Sequence, residues 1–102
     1  MVSRENKAED SLEIKLKKYR KITKEALAKI SIQAGKGTAD CKKAEGFIKM
    51  ATDYFSDAGY FEKKGMPLTA LAAYSYAHAW LDAGIKAGFL DGKDDGRLFV
   101  LP

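Results

Sequence analysis

The chain has one histidine, His78, which stands three residues after Ser75 and four before Asp82 in the stretch YSYAHAWLDAG, Tyr74 to Gly84. On a helix, positions three and four apart share a face. A carboxylate placed there can orient an imidazole, and the imidazole can then act as a general base. Ser75, one turn earlier, would supply the nucleophile. Three such residues on consecutive turns of one helix make an unusual triad, and triads are recognised by geometry rather than by spacing. The plainer reading is preferred: a histidine at a bundle edge, satisfied by Asp82. No catalytic residue is assigned, and an enzyme using His78 and Asp82 is kept as the weakest functional alternative.

The other chemical patterns are thinner. One histidine with scattered acids does not fill a zinc site within one chain, although a twofold dimer would bring two His78–Asp82 pairs together. The segment DGKDDG places Asp91, Asp95 and Gly96 at the first, fifth and sixth positions of a calcium loop. Lys93 and Pro102 then fall at the third and twelfth, where oxygen ligands belong. A turn is the better reading. AGKGT, Ala34 to Thr38, lacks the first glycine of a phosphate loop and follows no expected strand. The lone cysteine, Cys41, excludes an intramolecular disulfide and a cysteine-based zinc site in one chain. No metal and no cofactor is expected.

The elements that carry these residues read as helices. Hydrophobic residues make up 46% of the 102 and charged ones 31%, which suits one folded domain and not a disordered chain. Leu12, Leu16, Tyr19, Thr23, Ala26 and Ile30, with Leu27 beside them, predict a first helix from about Asp10 to Gln33. Asp10 and Glu13 resemble a capping box at its start, which leaves residues 1–9 as a flexible N-terminus. Ala44, Phe47, Ile48, Ala51, Tyr54, Phe55, Ala58 and Phe61 predict a second helix from about Thr38 to Lys64, capped by Thr38 or Asp40 and closed by Gly65. Pro67 opens a third, running to about Gly88. Residues 90–102 form a tail whose LFVL, Leu98 to Leu101, is expected to dock as an extended strand. Short glycine-bearing connections make neighbouring helices antiparallel. The predicted fold is all-α: an up-down-up three-helix bundle in a single domain spanning 1–102, with a short extended C-terminal tail.

The third helix is apolar nearly all round, so more than one side of it must be covered. A helical wheel turns Ala70, Tyr74, Ala77, Leu81 and Ile85 toward the bundle. Ala72, Ser75, Ala79 and Ala83 lie opposite. His78 and Asp82 border this strip of small residues on one edge, and Tyr76 and Trp80 border it on the other. Such a strip can receive a helix or an extended peptide closely. Its expected occupant is the chain's own tail or a sister subunit, ahead of a foreign protein partner.

Residues 1–33 hold nine basic side chains against five acidic ones, which accounts for the whole net charge of +4. Lys17, Lys18, Arg20, Lys21 and Lys24 form a candidate basic patch for nucleic acid. A solvated helix face is the preferred reading, with nucleic-acid association as the alternative. No apolar run approaches the ~20 residues of a membrane span, and the N-terminus lacks the apolar region of a signal peptide. A cytoplasmic location without membrane contact is expected.

Two resemblances sharpen this reading. Tyr54, Ala58, Phe61, Gly65, Ala70, Tyr74 and Ala77 stand at the spacings of one tetratricopeptide repeat. Asp57 departs from that repeat's leucine, and Asp82 stands at its proline. The bundle as a whole also resembles single-unit relatives such as microtubule-interacting-and-trafficking domains, which bind peptide helices in grooves between their own helices. More closely, YFEKKGMPLTALAAYSYAHAWLDAGIKAGFLDG, Tyr60 to Gly92, resembles the archaeal domain-of-unknown-function family 357. That likeness spans Ala44 to Leu101. It implies a three-helix bundle and carries over no activity. The expected function is a small helical module for protein interaction or self-association, using the outer face of the third helix.

Overall fold

The computed structural model describes residues 4–100, with side chains from residue 11 onward. Of the expected flexible stretch 1–9, residues 1–3 fall outside these limits, as do the last two residues of the tail, while residues 4–9 are helical. Three helices are present: α1 (Arg4–Lys29), α2 (Ala39–Lys63) and α3 (Pro67–Lys86). Two short strands, β1 (Ser31–Ile32) and β2 (Leu90–Asp91), follow the first and the last of them. The fold is the predicted all-α, three-helix bundle, with an α2–α3 hairpin and a docked tail.

The three helices do not share the core equally. α3 packs along both α2 and α1, whereas α1 and α2 touch only slightly. α3 is therefore the central helix, and this is why its sequence is apolar on several sides. α2 offers it Ala44, Ala51 and Ala58, spaced by seven and fully buried. Ala58 clusters with Ala70 and Tyr74 of α3, and Ala44 and Ala51 cluster with Leu81 and Ile85; Ala70 and Ala77 are also fully buried. Small residues at the seam let the two backbones approach, and aromatic rings then pack at the flanks. Phe55 meets Tyr74 edge to face at 5.3 Å between ring centres. Tyr54, which occupies the repeat-like aromatic position, meets Tyr76 instead, at 4.4 Å. Edge-to-face pairs of this kind add about 0.5–1.5 kcal/mol beyond the area they bury.

The helix ends follow local chemistry. Thr38 caps α2, its hydroxyl accepting from Cys41 N at 3.1 Å. Gly65, with φ +71°, makes the left-handed turn that separates α2 from α3, and Pro67 is the first residue of α3.

α1 departs from expectation at both ends. Its helical backbone runs from Arg4, so Asp10 lies within it. At the other end it stops at Lys29 and not at Gln33. The alternation in Ile30-Ser31-Ile32 suits an extended chain, and Ser31 and Ile32 pair antiparallel with Asp91 and Leu90. Of the expected core face of α1, Leu16, Thr23 and Ala26 are buried, but Tyr19 is 37% exposed.

The tail docks, but not as the predicted LFVL strand. Its strand pairing is made earlier, by Leu90 and Asp91. Leu98 and Phe99 enter the core from a turn, at 4% and 5% exposure. They join Ala26, Leu81, Ile85 and Leu90 in one cluster. Gly84 makes room for this return: a Cβ there would lie 2.3 Å from Leu90 Cδ1, so no side chain fits without movement.

Candidate functional site

α3 carries most of the predicted site residues, and its neighbours divide them into two groups. The polar edge is consumed by the tail. The His78 ring donates from Nε2 to the carbonyl of Leu98, because a carbonyl oxygen can only accept. Its Nδ1 lies 3.3 Å from the hydroxyl of Thr23 on α1, and in the neutral ring that hydroxyl is the donor. Asp82 accepts from the backbone N–H of Val100 at 3.0 Å. His78 and Asp82 therefore do not bond to each other, which corrects the expected pairing. They are two clamps on the backbone of one segment.

Ser75 is not part of this arrangement. Its hydroxyl donates to the carbonyl of Leu71 at 3.0 Å, one turn back on its own helix. A nucleophile–base–acid relay would need Ser75, His78 and Asp82 in sequence. Each of them instead holds a separate partner.

The tail reaches its clamps through a tight turn. Lys93 and Asp94 both have positive φ, near 58° and 57°. Asp91 accepts from Lys93 N at 2.8 Å, and this bond holds its carboxyl below the usual aspartate range. Asp95 binds the ammonium of Lys29 at 2.9 Å and accepts from the backbone N–H groups of Arg97 and Leu98. Its carboxyl is lowered first by Lys29 and then, against opposing desolvation, by those backbone donors. Arg97 reaches Glu25 at 3.1 Å. The acidic turn that resembled a calcium loop is thus occupied with its own chain. Among the described residues, no group of three histidine, cysteine or acidic side chains is placed to hold a metal.

The other group stays uncovered. Ala72, Ser75, Tyr76, Ala79 and Ala83 are exposed, and Tyr76 keeps 48% of its surface accessible. The expectation that the tail would cover this strip is corrected for its described residues: through Val100 the tail is bonded along the His78 and Asp82 edge. Trp80 is partly buried, edge to face with Phe47 at 5.6 Å and with Tyr76 at 6.2 Å. Its indole N–H is shielded and has no hydrogen-bond partner among the described residues. Tyr76, Ala79, Trp80 and Ala83 outline a shallow apolar dimple of about 200 Å³.

The basic residues of α1 are also divided. Arg20 is bound to Glu62 of α2 at 2.5 Å. Glu62 also accepts from the Tyr74 hydroxyl, whose pKa is raised first by burial and then by the carboxylate beside it. Lys17 sits 3.7 Å from Glu13 on its own helix. Lys18, Lys21 and Lys24 are exposed and make no ion pair among the described residues.

Thr23, Glu25 and Glu62 were not singled out from the sequence. Thr23 filled a place in the apolar pattern of α1, and the two acids were given no role. Only the folded partners give them roles.

The family described as "Protein of unknown function (DUF357)" matches residues 18–90, well over half of the chain. The chain belongs to this family. The DUF357 match takes in the second half of α1, all of α2 and α3, and the first residue of β2. It begins well before Ala44, where the resemblance was first legible, and ends before the clamped tail. No curated protein and no solved structure matches the chain. No helix among the described residues is long and apolar enough to cross a membrane.

Proposed function

We propose that this chain is a helical interaction module that self-associates through the outer face of α3. The observation that supports this reading is the uncovered strip Ala72, Ser75, Tyr76, Ala79 and Ala83 on the central helix of the fold. α1, α2 and the tail account for its other sides.

The chemistry of the strip favours a second copy of the same face. Between Pro67 and Ile85 the only charged side chain is Asp82, and it is held by Val100 N. Two such faces meet about a twofold axis without like charges opposing each other. Tyr76 of one copy is the natural knob for the alanine strip and dimple of the other.

Light scattering on the purified full chain, over a range of concentrations, tests this. A dimer is expected, and Ala79→Glu is expected to return it to monomer with helicity unchanged, because Ala79 is exposed. A wild-type chain that stays monomeric across that range overturns self-association. So does an Ala79→Glu variant that keeps the dimer mass.

A further inference from the structure

A second groove lies away from the outer face of α3, and the slight contact between α1 and α2 creates it. The two helices lean on α3 without closing on each other. The groove between them has a volume of about 640 Å³. Its floor is Tyr74 of α3 and Phe55 of α2, and its rim carries Lys21 and Lys24 from one side and Lys63 from the other. All three lysines are exposed. The one acid in the lining, Glu62, is already neutralised by Arg20 and bonded by Tyr74. The rim therefore presents uncompensated positive charge above an apolar floor.

Gly59 opens the groove from the α2 side. It lies inside a helix, where glycine costs about 1 kcal/mol relative to alanine. A Cβ added there would meet nothing within 4 Å. The fold does not need that position bare, but a side chain there would stand in the groove.

We infer that this groove is a docking site for an acidic amphipathic helix of a partner protein. An apolar side chain of that helix occupies the space over Gly59, Phe55 and Tyr74, and its carboxylates pair with Lys21, Lys24 and Lys63. Charge complementarity selects the class of partner, and the apolar floor selects an anchor side chain. The floor also argues against single-stranded nucleic acid. That ligand needs accessible aromatic faces for base stacking, and Tyr74 is only 2% exposed.

The probe is a fluorescent synthetic peptide that forms a helix with leucines on one face and glutamates on the other, titrated with the full chain and read by anisotropy. A scrambled peptide of the same composition and a single-stranded oligonucleotide serve as comparisons. The helical peptide is expected to bind. Lys21→Glu with Lys24→Glu is expected to weaken it at least about tenfold, as close pairing of opposite charges predicts. Gly59→Leu is expected to weaken it similarly with every charge retained. Lys63→Glu is an independent rim variant if Gly59→Leu does not fold. Ala79→Glu is expected to leave binding unchanged, which separates this site from the outer face of α3. Equal binding of the scrambled peptide, stronger binding of the oligonucleotide, or no loss on Lys21→Glu with Lys24→Glu overturns the proposal.

Discussion

The two flanks of α3 are held by different means. On the α2 side, the contact is a seam of fully buried alanines bordered by aromatic rings. On the α1 and tail side, much of the contact is made by single polar groups far apart in sequence: Thr23 with His78, Asp82 with Val100, Glu25 with Arg97 and Lys29 with Asp95. Burial is non-directional and roughly proportional to area. A hydrogen bond depends on the placement of both its atoms, and its net worth is small, about 0.5–1.5 kcal/mol. The α2 flank should therefore dominate stability, and the α1 and tail flank should fix where the tail sits.

The strongest challenge to this comparison is Leu81→Ala. Leu81 is fully buried where the two flanks meet, and truncations of this kind cost about 2–5 kcal/mol. Chemical denaturation is expected to show a cooperative loss of that size for the whole fold. A loss confined to the tail would break the comparison, since it would make Leu81 part of the tail's anchorage alone.

A smaller and more local effect is expected from Asp82→Ala. It frees one backbone N–H that is close to water, so the cost is about 1 kcal/mol or less. Amide exchange should quicken at Val100 and Phe99 and stay unchanged through α2. Unchanged exchange at Val100 would mean that the carboxylate does not hold the tail in solution.

The smallest effect is a pH dependence. The Asp95 carboxyl lies below its ordinary value of 3.8, first because of Lys29 and then because of its backbone donors. The stabilisation it gives is complete above that ordinary value. It is lost as pH falls through the lower value of the folded state. Amide shifts of Arg97 and Leu98 should therefore hold steady down to the ordinary aspartate range and move below it. Movement at higher pH would show that Asp95 is not held by these partners.

The same contrast explains what could be read in the residues beforehand. The α2–α3 hairpin was legible because its seam repeats at three, four and seven, so Ala58, Ala70, Tyr74, Ala77 and Leu81 were placed inward correctly. Thr38 and Gly65 were legible as a cap and a turn because each acts on its own neighbouring backbone. The end of α1 was not. Its stop at Lys29 depends on Ser31 and Ile32 pairing with a strand about sixty residues away. The partner of His78 was also misread, because spacing along one helix puts Asp82 within reach but says nothing of a second chain segment that reaches both first.

The sequence by itself determined three helices, their inward faces and a central helix apolar enough to need cover on several sides. It did so because periodic burial and local capping act over a few residues. Only the tertiary structure decided which side of α3 the tail covers and which stays open. It also decided that α1 and α2 leave a basic groove, and that His78 and Asp82 act as clamps and not as a pair. Those outcomes depend on polar atoms far apart in the chain meeting at bonding distance, and no spacing along a single helix specifies that meeting.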